Sequence, residues 1–422
     1  MIETPTAPRH VVAIIGASVA GAEAARVLAD AGVSVVVIEQ HARPYGRIDD
    51  GLPRWHVDQR RREARKIDER LDRPGVELVP CTALGKDFAV PQLLAWGASG
   101  VLLATGARRD RKLPVKDIER FVDRGLVYQG ALVHWFVHRA NPRHDTPWYV
   151  VPDGALIVGG GRGSLDVVKI AMLESTRRAL LEEHGIQLDL DAAQREGLRT
   201  HLTRIGHSFA SVGLEGCRLI YRRDAEDMPI VPMPEGASDE VRERVRKERK
   251  ALLDRTLAEW GARFEGRVMP REPIAQGDQL VGLRCLRCDV EGKRAYPIDD
   301  SWFDLRAGLV IGAIGTVPQE FPGMVLDGEC YRQVGEDGAP RGEVAGVFGA
   351  GSVVRDATGA RVTLRHSTEV ARHLLDRYLP TVPPLAPGRQ QHIVDIVRAR
   401  QEEVGYRDYA SWIHQVSPLG RS

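Results

Sequence analysis

Cysteine is scarce in this chain, and five residues over a length of 422 do not make a disulfide framework. The odd count fits a reducing compartment, so the expected location is cytoplasmic. Long apolar runs are missing too: nothing approaches the roughly 18 residues that a membrane span needs. The apolar stretch Val11 to Ile15 is too short for a secretory signal and reads as a buried strand. Charge of one sign is also absent. Lys+Arg 59 against Asp+Glu 58 gives no general attraction to nucleic acid or to a membrane surface, and the basic stretches Gln59 to Lys66 and Arg242 to Lys250 read as solvated helix faces. No low-complexity tract and no catalytic triad stands out. The length admits two or three domains with a sizeable core.

What the sequence does contain is two glycine-rich loops with the same surroundings. GASVAG runs from Gly16 to Gly21 and GGGRGS from Gly159 to Ser164, each after a β-type run and before a helical pattern. Small residues also make ordinary strand-to-helix turns, but two loops with one flanking grammar point to two bound dinucleotides. Around the first, HVVAIIG gives a strand, Ala20 to Gly32 a helix, and Ser34 to Ile38 a second strand ending at Glu39. That unit has the size of a dinucleotide-binding half-fold of about 30 residues, and Glu39 stands where a carboxylate meets the adenosine ribose. Gly16, Ala20 and Gly21 form the rest of the fingerprint, and Gln40 follows the acid. Ser18 replaces the second glycine; its small side chain still lets a pyrophosphate approach the backbone.

Around the second loop, Ala155 to Val158 is a strand and a helix begins near Gly163. Gly159 and Gly161 are the paired glycines, Arg162 and Gly163 open the helix, and Ser164 takes the small position. The next strand, CRLIYRRD, ends in Arg222 and Arg223 where the first unit has its acid. Two guanidiniums suit a ribose 2′-phosphate, so the expected second coenzyme is NADP(H); the other reading is that they cap a surface strand. The economical sum is a flavoprotein that oxidises a nicotinamide.

Further segments carry a family resemblance. RPYGRIDDGLPRWH (Arg43 to His56), VLLATGA (Val101 to Ala107), GLVYQGALVHWFVH (Gly125 to His138), YRRDAEDMP (Tyr221 to Pro229), VIGAIGTVP (Val310 to Pro318) and the long run holding Gly351 and Thr358 to Ala360 form a set. Together they resemble the flavoprotein disulfide-reductase-like proteins, and within them ferredoxin-NADP reductases of the adrenodoxin-reductase type and the small subunit of glutamate synthase. The resemblance implies an α/β fold of two Rossmann-like dinucleotide-binding domains, with the NADP domain inserted into a discontinuous FAD domain. The expected divisions are an FAD domain over 1–118 and 324–380, an NAD(P) domain over 119–323, and a linker with C-terminal helices over 381–422. VIGAIGTVP is expected to be the strand that returns to the FAD domain. The resemblance also implies flavin contacts from Gly46, Arg47, Leu52, Arg54, Trp55, His56, Ala104, Thr105, Gly106, Gly351, Ser352, Thr358, Gly359 and Ala360, with His56 as the catalytic candidate. A structural Trp55 and a surface His56 are the alternative. Ser352 departs from the tryptophan of adrenodoxin-type reductases and the aspartate of their relatives, and LPRWH replaces their valine-alanine-proline-aspartate-histidine run.

Cysteine chemistry does not fit. The close pair Cys285 and Cys288 lies in a strand-like alternation, away from any helix N-terminus that would lower a thiol pKa. No second pair completes a zinc-ligand set with them, so no metal site is expected, and no cysteine-rich cluster precedes the first strand. The implied reaction is hydride transfer from NADPH to FAD and onward passage of electrons to a ferredoxin-like iron-sulfur protein. Arg60, Arg61, Arg62, Arg65, Lys66, Arg355, Arg361 and Arg365 are candidates for steering such an acidic partner. An electron-input subunit like that of glutamate synthase, a flavoenzyme acting directly on a small molecule, and a non-catalytic nucleotide-binding module remain as alternatives.

Overall fold

A computed structural model describes residues 9–139, 147–234, 236–321, 324, 326–331, 344–354 and 359–417, apart from the side chains of Arg54 and Asp327. The expected contributors Thr358 and Arg355 lie outside the described residues, as does the Arg54 side chain. In chain order the first elements are β1 (Val11–Ile15), α1 (Val19–Asp30), β2 (Ser34–Ile38), α2 (Val57–Leu71), β3 (Val76–Val79) and β4 (Gly100–Leu103). There follow β5 (Leu126–Tyr128), α3 (Gln129–His138), β6 (Leu156–Gly159), α4 (Arg162–His184), β7 (Arg218–Ile220), α5 (Asp239–Trp260) and β8 (Arg263–Glu265). The strands β9 (Val268–Gln276), β10 (Gln279–Glu291), β11 (Arg294–Pro297), β12 (Phe303–Arg306) and β13 (Val310–Ala313) come next. The chain closes with β14 (Val347–Gly349), α6 (Ala360–His373), α7 (Pro387–Val404) and α8 (Tyr409–Val416).

Two compact units divide the chain: Met1–Asp49, Asp58–Arg109 and Val317–Ser422 make the first, and Asp50–Val57 with Asp110–Thr316 the second. In the first, five parallel strands lie in the order β14-β4-β1-β2-β3. Strand order reverses at β1, which is where open α/β sheets bind ligands. β1 and β4 are buried along their whole length, as strands covered on both faces must be. The core joins Ile15, Val101, Leu103 and Val347 to Ile393 and Val397 of α7. α8 is tied down by Trp412, whose Nε1 donates to the Ala42 carbonyl at 2.7 Å, and by Tyr409, which donates to Asp68 at 2.9 Å.

The second unit repeats the plan with parallel strands in the order β5-β13-β6-β7-β8. Between β8 and β13 it adds an antiparallel sheet in which β10 pairs with β9, β11 and β12. The boundaries fall at 109/110 and 316/317, earlier than 118 and 323. Residues 50–57 cluster with the second unit because Trp55 packs against its core, with ring centroids 6.1 Å from Phe136 and 6.0 Å from Trp260. VIGAIGTVP also divides differently from expectation: β13 is built into the middle of the second sheet, and only from Val317 does the chain belong to the first unit. The basic stretch of α5 is not wholly a solvated face either. Arg249 is buried, donating from Nε to the Val231 carbonyl at 2.8 Å, and burial lowers its pKa.

Candidate functional site: two dinucleotide loops

The first loop is shaped by close backbone approach. Gly16 has φ +98, and a Cβ there would stand 2.7 Å from the Ala104 carbonyl oxygen, so the turn runs hard against the end of β4. At Gly21 a Cβ would fall 1.8 Å from the Gly16 carbonyl oxygen, which is why α1 can start this close to β1 only with glycine. Ser18 occupies the N-cap place but makes no capping bond. Its hydroxyl instead donates to the Tyr45 carbonyl at 3.0 Å, and Gly46 lies against it, so the serine ties the 45–46 segment to the loop. The amides of the first turn receive no side-chain cap, and backbone N–H groups and helix dipole both favour negative charge there.

Glu39 ends β2, is buried, and braces the loop: Oε2 accepts from the Ala17 amide and Oε1 from the His41 amide, each at 3.0 Å. A carboxylate has about four lone-pair directions, so acceptor capacity remains beyond these two bonds. Gln40 beside it is exposed. The other first-unit residues gather near the same end of the sheet. Arg47 donates to the Ala107 carbonyl at 3.0 Å, and the Ala107 amide donates to Ser352 Oγ at 3.2 Å. Gly106 turns through φ +68 with its open side toward Ser352. Gly351 packs on Ala20, and its amide donates to the buried His366 Nδ1 at 2.9 Å. Gly359 and Ala360 form the N-cap and first turn of α6. Thr105 Oγ1 is buried and has no hydrogen-bond partner among the described residues.

The second loop uses the same devices with different neighbours. A Cβ on Gly159 would lie 2.4 Å from the Ala313 carbonyl oxygen, one on Gly160 would enter the Tyr221 ring at 2.2 Å, and one on Gly163 would meet Gln129 at 2.1 Å. Gly161, the N-cap of α4, is the exception, with nothing within 4 Å of its added Cβ. Ser164 is fully buried and donates to the Gly161 carbonyl at 2.6 Å, fixing the loop onto the helix. Arg162 reaches sideways and donates to the Ile230 carbonyl at 2.6 Å.

The two arginines past β7 separate in role. Arg223 donates from Nε and Nη2 to the Tyr221 hydroxyl at 2.9 and 2.6 Å and from Nη2 to the Asp227 carbonyl at 3.2 Å. Arg222 is exposed and makes no hydrogen bond or ion pair among the described residues. The free guanidinium is therefore Arg222, and Arg223 holds the tyrosine whose ring covers Gly160.

Trp55 and His56, expected beside the flavin, meet a carboxylate of the second unit. Asp166 Oδ1 accepts from Trp55 Nε1 at 2.9 Å and lies 3.3 Å from His56 Nε2. An ionised Asp166 can only accept, so this contact puts a proton on Nε2. Lys169, one turn further along α4, sits over the Trp55 ring at 5.2 Å and over Trp260 at 5.6 Å. Burial holds its pKa below the usual lysine value, with Asp166 opposing. Sequence reasoning missed both residues; their spacing of three on a helix that opens at a phosphate loop was the available signal. Leu52 lies half-buried in the same segment.

The close pair of thiols is inert by position. Cys285 and Cys288 are buried on β10, where burial pushes the Cys285 thiol up to about 12 and raises that of Cys288 as well. Cys81, Cys217, Cys285 and Cys288 form no disulfide. No helix among the described residues is long and apolar enough to cross a membrane.

Comparison with known proteins agrees with this geometry. A family of FAD binding domains matches residues 9–48, the first β-α-β unit. The NADPH-Fe(3+) oxidoreductase subunit beta of Geobacter sulfurreducens is 26% identical over 319 residues, covering 73% of this chain and 37% of that protein. The NAD-dependent dihydropyrimidine dehydrogenase subunit PreT of Escherichia coli O157:H7 is 31% identical over 219 residues, covering 50% of this chain and 48% of that one. The chain thus spans less than half the length of these two relatives. Among solved structures, FprA of Mycobacterium tuberculosis in complex with NADPH matches with a TM-score of 0.70 at 16% identity, covering 94% of this chain and 91% of that one. In sequence the chain is similar to NAD(P)H-dependent flavoprotein oxidoreductase subunits, and in fold it resembles FprA, with an FAD-binding match over its first β-α-β unit and two dinucleotide-binding α/β units.

Proposed function

We propose that this chain oxidises NADPH through FAD and delivers the electrons to an iron-sulfur protein of the ferredoxin kind. The observation that carries the reading is the change of charge between two otherwise matching sites: buried Glu39 past the second strand of one unit, free Arg222 past the second strand of the other. A carboxylate suits ribose hydroxyls and repels a 2′-phosphate, whereas a guanidinium attracts one. FAD fits the first loop, because Gly16, Gly21 and Gly351 let a pyrophosphate reach the α1 amides and the unpartnered Thr105 hydroxyl lies at the same sheet end. NADP(H) fits the second, where the space in front of Gly161 admits its diphosphate. When bound, FAD supplies the hydride-accepting ring. The chain's own residues bind and orient: the α1 and α4 N-termini hold diphosphates, Glu39 and Arg222 choose the ribose, and Asp166 fixes the His56 ring. Positioning of this kind accounts for catalysis without a nucleophile. Arg61, Arg62 and Arg65, exposed on α2, offer a basic face to an acidic electron acceptor.

A second reading, an electron-input subunit of a larger complex, is favoured by two relatives that are named as subunits and are at least twice the matched length. Size-exclusion of the native protein separates the two readings. Anaerobic titration of the yellow protein tests the main one: NADPH should bleach the flavin at far lower concentration than NADH, and the reduced protein should then reduce an acidic ferredoxin at a rate that falls with salt. Equal bleaching by both coenzymes, or a colourless protein that FAD does not reconstitute, overturns it.

A further inference from the structure

α3 contains the run His134-Trp135-Phe136-Val137-His138. Trp135 and Phe136 are buried in the second unit's core, which fixes the helix's rotation. Residues four apart lie on one helix face, so both imidazoles project together, and their ring centroids are 4.5 Å apart. Asp50, the last residue of the short helix Arg47–Asp50, comes to the same place. His138 Nε2 lies 3.3 Å and His134 Nδ1 3.9 Å from Asp50 Oδ1, and one ligating atom from each of the three residues falls within a 4.8 Å group. Ligand bonds of 2.0–2.1 Å around a tetrahedral ion place neighbouring ligand atoms about 3.4 Å apart, so the three need only close slightly on an ion.

We propose that Asp50, His134 and His138 bind a divalent transition-metal ion of the zinc kind. Two imidazoles and one carboxylate suit zinc and its neighbours and do not suit calcium or magnesium, which require an oxygen shell. All three residues are half-exposed, so water completes the coordination. The 3.3 Å separation of His138 from Asp50 is within hydrogen-bond reach and the 3.9 Å separation of His134 is not, so one ion bridging all three would draw His134 in. Asp50 opens the segment 50–57, which carries Trp55 and His56, so the ion fastens that segment to α3 within the second unit.

Equilibrium dialysis of the tag-free, chelator-stripped flavoprotein against Zn²⁺, with metal counted by atomic emission, tests the site. The wild-type chain should retain one ion. His138→Ala, His134→Gln and Asp50→Asn should each weaken retention by at least about tenfold, the loss that even outer-shell partners produce. The control is His184→Ala, which breaks a second close histidine pair, His184 edge-on to His207 at 4.7 Å, and should change nothing. No retention by the wild type, or the same retention in His138→Ala as in His184→Ala, overturns the assignment. Circular dichroism reports whether each variant is folded, and Asp50→Asn, which keeps the core of α3 untouched, decides if a histidine variant is not.

Discussion

At the first loop Gly16, Ser18 and Gly21 take the three small positions, and at the second Gly159, Gly161 and Ser164 take them. Two residues further on, each helix carries an acid. Glu23 of α1 is buried and paired with Arg26 at 2.6 Å and Arg70 at 2.7 Å, with Thr368 donating at 3.0 Å, so it clamps α1 to α2 and α6. Asp166 of α4 is half-buried and holds Trp55 and His56. The same place on one scaffold thus serves stability in one unit and side-chain orientation in the other. What distinguishes the sites is the set of neighbours reached by a few side chains, while the loop backbones follow one rule.

The largest expected effect sharpens that rule. Gly21→Ala forces a Cβ against a carbonyl oxygen and should lower stability by about 1–3 kcal/mol, the range for overpacking, with loss of bound FAD in the purified protein. Gly161→Ala, whose Cβ meets open space, should melt like the parent yet weaken NADPH binding. Equal melting points for the two variants would break the comparison. Next, Arg222→Gln should raise the KM for NADPH by roughly 10- to 100-fold, the loss of a charged hydrogen bond worth about 1.5–3 kcal/mol, while NADH is untouched. Arg223→Gln frees Tyr221 and should affect both coenzymes alike by a few-fold; a selective loss of NADPH there would exchange the assigned roles.

Glu23 gives a smaller, pH-dependent effect. Burial alone would raise its carboxyl, but Arg26, Arg70 and Thr368 outweigh burial and hold it below the ordinary value of 4.5. Because the folded value lies below the unfolded one, the stability it contributes is present above the ordinary value and is lost as pH falls through the folded one. The difference in denaturation midpoint between parent and Glu23→Gln should therefore be greatest near neutrality and vanish in acid. Smallest of all, Ser18→Ala removes the bond to the Tyr45 carbonyl and should cost about 0.5–1.5 kcal/mol; a larger fall in melting temperature than Gly21→Ala gives would reverse the ranking.

Local patterns were readable where one short segment determines the outcome. The strand Ser34 to Ile38, both strand-loop-helix turns, the β-alternation around Cys285 and the C-terminal helices follow from periodicity and glycine placement. Long-range pairings were not. Nothing near Trp55 announces Asp166, more than a hundred residues away, and nothing in YRRD tells which arginine its own tyrosine will occupy. Residues 50–57 were assigned by their neighbours in sequence, whereas an indole seeking a core and a carboxylate decides their place. The histidine spacing on α3 is visible in the sequence; the aspartate that gives it meaning comes from another element.

The order of β14-β4-β1-β2-β3 has a consequence for biosynthesis. Val347 pairs with Val101, so the first sheet lacks an edge until most of the polypeptide has left the ribosome, while the second sheet draws all its strands from one continuous stretch. Nascent chains should therefore consolidate the unit over 110–316 first, and the half-built first sheet, with β4 as an unpaired edge, is the species that chaperones must shield.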